Sequence, residues 1–242
     1  MRRDYKYFDL IMALFVTVLL LSNLLSSAKI IDLGFSLGPI SFIFDAGTLV
    51  FPVSYIFGDV LTEVYGYRRS RRVIWMGFFA TALMALFVWL AGALPGDSLW
   101  MSNYGQEAAD FNQRAFNAIL GGIPGLIIAS LAAYFMGEFS NSYVLARMKV
   151  MSRGQFVWAR TIGSTLVGQA VDTTVFIAIA TALGVFQADQ ALSLIVTNYV
   201  FKVGIEVVLT PITLQVITAL KTSEREDVYD THTDFNPFRI DV

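Results

Sequence analysis

Apolar positions along the chain gather into six stretches, at roughly 7–25, 41–65, 73–94, 115–137, 158–186 and 191–220, each bounded by a short polar burst. About 20 apolar residues in a helix cross a hydrocarbon core of about 30 Å. A segment in lipid finds no water for its backbone and must bond internally, so the stretches read as helices. The pattern predicts an all-α polytopic membrane protein: one domain over 1–242, built as a bundle of six transmembrane helices with a polar tail over 223–242. The loop 95–114 has room for a short surface helix. Arg2, Arg3 and Lys6 ahead of the first stretch, and Ser26-Ser27-Ala28 after it, resemble a signal peptide. That run is long for a cleaved segment and five more spans follow, so it is expected to stay. No internal repeat is evident, although three plus three spans leave room for a diverged one.

Positive charge fixes an expected orientation. Arg2, Arg3 and Lys6, then Arg68, Arg69, Arg71 and Arg72, then Arg147, Lys149 and Arg153, then Lys221 and Arg225 all fall on one side. The other side holds Lys29 and Arg114 beside Asp32, Asp97, Glu107, Asp110 and Asp189. The positive-inside rule then puts both termini in the cytoplasm.

Composition narrows the chemistry. Charged residues are 15% of the chain and hydrophobic ones 56%, where a soluble domain carries about a quarter charged. The net charge of −2 argues against nucleic acid as a partner. There is no cysteine and a single histidine, His232 in the tail, so disulfides, thiolate chemistry and the usual hydrolytic triads have no residues to build on. A phosphate-cradling loop ending in Gly-Lys-Ser/Thr is absent. No cofactor, metal or catalytic residue is expected, and the chain reads as a carrier rather than an enzyme.

The polar groups inside the spans hold most of the functional information. Ionisable residues at membrane depth are costly and normally face a bundle interior, a partner or a water-filled passage. Tyr55, Asp59 and Glu63 are spaced four apart and form one stripe on the second span. Asn198, Lys202 and Glu206 do the same on the sixth, while Gln169 and Asp172 share a face of the fifth, near Thr165 and Thr173. Counted at about 1.5 Å per residue, Asp172 and Lys202 fall near the midplane, and Glu63 and Arg160 near the inner interface. The stripes are expected to meet. Asn23, Tyr55, Asp59, Gln169, Asp172, Asn198 and Lys202 are the substrate-binding candidates; Asp45, Glu63, Arg160 and Glu206 are candidates for coupling or gating. Blander readings stand beside these. Lys202 and Glu206 sit at the spacing of an intrahelical pair, Glu63 and Arg160 at the depth of an interfacial one, and Asp45 at a helix start. Gly47 and Pro52 suggest a bend, and Gly121-x-x-x-Gly125 a close helix contact.

The segment FDAGTLVFPVSYIFGDVLTEVYGYRRSRR (Phe44 to Arg72) resembles the signature of the queuosine precursor transporter family, also called the VUT family. Ser22-Asn23 and Lys29, the fifth-span GSTLVGQAVDTTVF (Gly163 to Phe176) and the Phe235-Asn236-Pro237-Phe238 tail resemble the same family. The resemblance implies import of a 7-deazaguanine base, chiefly 7-cyano-7-deazaguanine, across the bacterial inner membrane. It also implies a six-helix fold related to the substrate-binding components of energy-coupling-factor transporters. A guanine-like edge offers N1–H and an amine to one carboxylate, Asp172 or Asp59, and its O6 asks for a donor such as Gln169, Asn198 or Lys202. Three functions fit this frame: a carrier with alternating access around a midplane site, a binding subunit served by an external ATPase, or a membrane-embedded enzyme. The second would use a small-residue surface at Ala129, Ala132 and Ala133. The substrate and the lipid bilayer are the expected partners, with oligomeric state open.

Overall fold

The computed structural model describes residues 5–37, 40–101, 110–121, 124–184, 188–189 and 191–239. In chain order come α1 (Phe8–Ala28), a hairpin of β1 (Ile30–Leu37) and β2 (Ile40–Asp45), and a 3-10 turn at Ala46–Leu49. Then follow α2 (Phe51–Tyr65), α3 (Tyr67–Ala93), short α4 (Ser98–Met101) and α5 (Phe111–Phe116), and a π-helical turn at Asn117–Gly121. The chain finishes with α6 (Pro124–Met151), α7 (Val157–Ala182) and α8 (Ala191–Glu224).

Two expectations change. The second span does not begin as a helix at 41. Residues 40–45 pair antiparallel with β1, Ile30 opposite Asp45 and Leu37 opposite Ile40. The run Ile40-Ser41-Phe42-Ile43-Phe44 is β-branched and aromatic, which suits a strand as well as a span. Asp45 therefore closes a strand ahead of a 3-10 turn and does not cap α2; its side chain lies outside the described residues. The fourth span shifts along the chain: a π-turn occupies part of the expected start, and α6 runs on past Gly137 to Met151. The loop after α3 does hold short helices, α4 and α5.

Among the described residues four helices are long and apolar enough to cross a membrane, within α1, α3, α7 and α8. Burial is inverted relative to a soluble protein. Asp59, Glu63, Asn141, Ser142, Arg160, Thr161 and Ser164 are almost wholly buried, while Phe79, Leu83, Leu86, Phe87 and Trp89 of α3 are exposed. An apolar exterior around a polar interior is what hydrocarbon selects.

The helix ends show an alternating path. Backbone N–H groups of Lys6 and Tyr7 donate to the Glu224 carboxylate, and so does the Tyr65 hydroxyl. Lys149 Nζ donates to the Glu63 carbonyl, and Arg160 binds the Glu63 carboxylate. The starts of α1, α3 and α7 and the ends of α2, α6 and α8 thus share one end of the bundle. Gly66 joins α2 to α3 there at φ +84, and a Cβ on it would come 2.6 Å from Val228. Only glycine fits that turn.

α6 and α7 cross where Gly137 meets Gly168. A Cβ on Gly168 would come 2.7 Å from Asn141 Cβ and 3.3 Å from the Gly137 carbonyl oxygen; one on Gly137 would come 2.7 Å from Asp172 Cβ. Small residues at such a crossing let two backbones approach, which is how helices adhere without a hydrophobic drive between them. Gly168→Val is expected to push the pair apart and cost about 1–3 kcal/mol. Heat-induced loss of the monodisperse peak in detergent checks this, with Gly204→Ala, which meets nothing within 4 Å, as the neutral comparison.

The polar tail is not loose. Tyr67 N–H donates to Asp230, Arg71 to the carbonyls of Asp234 and Asn236, and Trp75 Nε1 to the Pro237 carbonyl. Phe235 packs on Tyr67 and Tyr143, and Phe238 on Trp75 and Phe135. The Phe235–Phe238 motif thereby straps the start of α3 to α6.

Candidate functional site

Two polar layers occupy the interior. The first is a knot of charge at the end that gathers the helix termini. Arg160 Nε and Nη2 donate to the two Glu63 oxygens at 2.8 and 2.6 Å, a bidentate fork. Lys149 Nζ lies 3.5 Å from Glu63, and Lys221 bonds the same carboxylate. Asp227, from the tail, takes both lysines. Burial pushes the Asp227 carboxyl up, but the Lys149 and Lys221 bonds outweigh it and hold the group below its usual range. The interfacial pairing of Glu63 with Arg160 expected from depth is thus present, inside a larger network.

The second layer lies one and two turns further along α2. Lys202 Nζ donates to Asp172 Oδ2 at 2.9 Å, joining α8 to α7. Asn141 Nδ2 donates to Asp59 Oδ1 at 3.0 Å, joining α6 to α2. Tyr55 is buried and feels the charges of Asp172, Glu138, Glu206 and Asp59 together. The polar stripes of α2, α7 and α8 do converge, and α6 completes the ring. The ion pair of Lys202 is with Asp172 across the bundle, in place of the intrahelical one with Glu206.

Other candidates sit elsewhere. Asn198 Nδ2 donates to the Leu194 carbonyl of its own helix. Asn23 accepts from Ser130 Oγ at 2.8 Å and ties α1 to α6, away from the carboxylates. Gln169 is buried in the layer with its Oε1 unpartnered. Glu138 and Asn141 fall outside the expected fourth span because Glu138 begins its polar end. Continued at helical spacing, Glu138, Asn141, Ser142, Leu145 and Lys149 mark one face, and that periodicity was the available signal. The surface groove lined by Leu214, Gln215, Thr218 and Thr222 of α8 holds none of these ionisable groups.

The exposures separate the two layers. Glu63 and Arg160 side chains are 0% and 1% exposed, sealed into the knot. Asp172 and Lys202 retain 12% and 15%, so this pair is less closed than the knot.

An apolar exterior around a polar interior marks a multi-pass helical membrane protein. The chain belongs to the family described as "Putative vitamin uptake transporter", which it matches over residues 45–216. It is similar to the "Probable queuosine precursor transporter" of Bacillus subtilis (strain 168), 29% identical over 166 residues that cover 68% of each chain. The "Queuosine precursor transporter" of Escherichia coli (strain K12) is 27% identical over 165 residues, 67% of each chain. A Haemophilus influenzae protein called "Probable queuosine precursor transporter" is 25% identical over 67% of this chain and 63% of its own. No solved structure matches the chain.

Proposed function

We propose that this protein imports a queuosine precursor, a 7-deazaguanine base such as 7-cyano-7-deazaguanine, across the bacterial inner membrane. The names of its relatives support the substrate class. Among the described residues, six helices of 15 residues or more, alternating in direction, support six crossings with both termini on the arginine-rich, cytoplasmic side. That arrangement is akin to the binding components of energy-coupling-factor transporters. The observation that carries the mechanism is the Asp172–Lys202 pair, an opposed acceptor and donor in the middle of the bundle, less closed than the knot. Asp172 offers two oxygens to the N1–H and amine edge of the base, and Lys202 offers N–H groups to its O6. Tyr55 lies beside them as an aromatic wall. Alternating access then opens this centre to each side in turn, with no covalent step.

For the binding-subunit alternative, Ala129 and Ala133 of the expected surface are buried and Ala132 is half-buried, so co-purification with an ATPase is its test. In cells unable to synthesise the precursor, supplied 7-cyano-7-deazaguanine is expected to restore queuosine in tRNA only when this gene is present. Membrane-localised protein with no restoration would detach the substrate from the fold.

A further inference from the structure

We propose that Asp59, Glu138 and Glu206 form a proton-binding site inside the bundle, separate from the Asp172–Lys202 pair, which couples transport to the proton gradient. The three carboxylates come from α2, α6 and α8. All are buried, and each acts electrostatically on another of the set. Glu138 lies over the α2 backbone next to Asp59: a Cβ on Gly58 would stand 3.2 Å from Glu138 Oε2.

What distinguishes this set is its lack of counterions. Glu63 is answered by three cations and Asp172 by Lys202. Among the described residues no ion pair reaches Asp59, Glu138 or Glu206. Their surroundings hold further polar atoms without a partner, among them the hydroxyls of Thr161, Thr165 and Thr173 on α7, but no cation. Asp59 Oδ2, Glu138 Oε2 and Glu206 Oε1 have no hydrogen-bond partner, and neither does Gln169 Oε1. Asn141 is wholly buried and aimed at Asp59, yet its own Oδ1 is idle. Clustered bare carboxylates at membrane depth are too costly to persist as three anions. A proton on one of them removes a charge and turns that carboxylate into a donor for a neighbouring oxygen.

The charged groups that face the set are engaged elsewhere. α2 adds Tyr55 and the already neutralised Glu63; α6 adds Tyr134, whose hydroxyl donates to the Ile74 carbonyl. α7 adds Asp172, and Arg160 is held at Glu63; α8 adds Lys202, held at Asp172. By sequence α1 brings only Asp9, and α3 only Tyr67 and the arginines of its first turns.

The test has two arms. Infrared spectra of the substrate-free protein in lipid at neutral pH are expected to show a protonated carboxylic-acid carbonyl band that shrinks in Glu138→Gln. Glu206→Gln serves the same purpose if the first variant fails to fold. No such band overturns the proposal, and this arm is independent of the transported substrate. The uptake arm rests on the transport reading. In proteoliposomes an acid-outside gradient of one pH unit is expected to raise accumulation of labelled 7-cyano-7-deazaguanine by up to about tenfold. In Glu138→Gln the ratio of gradient-driven to gradient-free uptake should fall to one. Wild-type uptake that ignores the pH gradient, or follows sodium instead, overturns the coupling; no uptake at all overturns the substrate reading alone.

Discussion

Glu63→Gln is expected to be the most destabilising single change in the molecule. The wild-type carboxylate answers Arg160, Lys149 and Lys221, with Asp227 as the other anion of the knot among the described residues. Replacing it by an amide leaves Arg160 and Lys149, each 1% exposed, facing one another with a single half-exposed counterion. Removing one partner from a buried ion pair costs about 3–5 kcal/mol, because the remaining charge is stranded. For a chain of this length that corresponds to a fall on the order of 10 °C in the unfolding midpoint. Glu63→Asp keeps the charge but shortens the fork to Arg160, and should fall between the two. Asp227→Asn makes the contrast: its side chain is 41% exposed, and an exposed partner contributes about 1 kcal/mol or less. Because the Asp227 carboxyl is held below its usual range, its contribution is complete above about pH 4 and fades only as acid reaches the lowered value. Midpoints measured on the detergent-solubilised variants decide the matter. Equal midpoints for Glu63→Gln and wild type would mean that the knot is not closed in the membrane.

How much of this was legible before any coordinates depends on what each residue answers to. Helix positions answer to the solvent, and lipid imposes a long apolar run, so α1, α3, α7 and α8 lie close to their expected bounds. The hairpin at 30–45 was illegible because β-branched and aromatic residues serve a strand and a span equally well. Depth placed Asp172 and Lys202 on the same level, and Glu63 with Arg160, before their contacts were visible. Partner choice was harder. Lys202 has Glu206 four residues on, a spacing that favours pairing along a helix, and only the packing of α7 against α8 brings Asp172 closer. Glu138 was lost because a carboxylate after an apolar run reads as the end of a span. It is instead the middle of α6, turned to the bundle interior beside Gly58. The tail is legible only as polar, since nothing in one sequence says that its carbonyls meet Arg71 and Trp75.

Uptake is expected to fail in both Asp172→Asn and Lys202→Met, and the charge-reversed double variant should not recover it. Each side chain has two jobs, holding α7 to α8 and meeting the substrate, and single variants cannot separate them. Losing one hydrogen bond to a charged group costs about 1.5–3 kcal/mol, so each single change should weaken substrate binding roughly 10- to 150-fold. Either change also leaves its partner uncompensated, which lowers stability. Asp172→Lys with Lys202→Asp restores an opposed pair across the same gap, and a purely structural strut would be satisfied by it. A base whose donors must meet the carboxylate on α7, beside Tyr55, would find the donor and acceptor exchanged. The double variant should therefore regain much of the thermal stability lost in the single ones while initial uptake per membrane-inserted protein stays at background. Recovery of both would reduce the pair to a strut and move the substrate elsewhere in the bundle. Full uptake in Asp172→Asn alone would remove that carboxylate from recognition, leaving the acceptors on α2 and α6 to read the base.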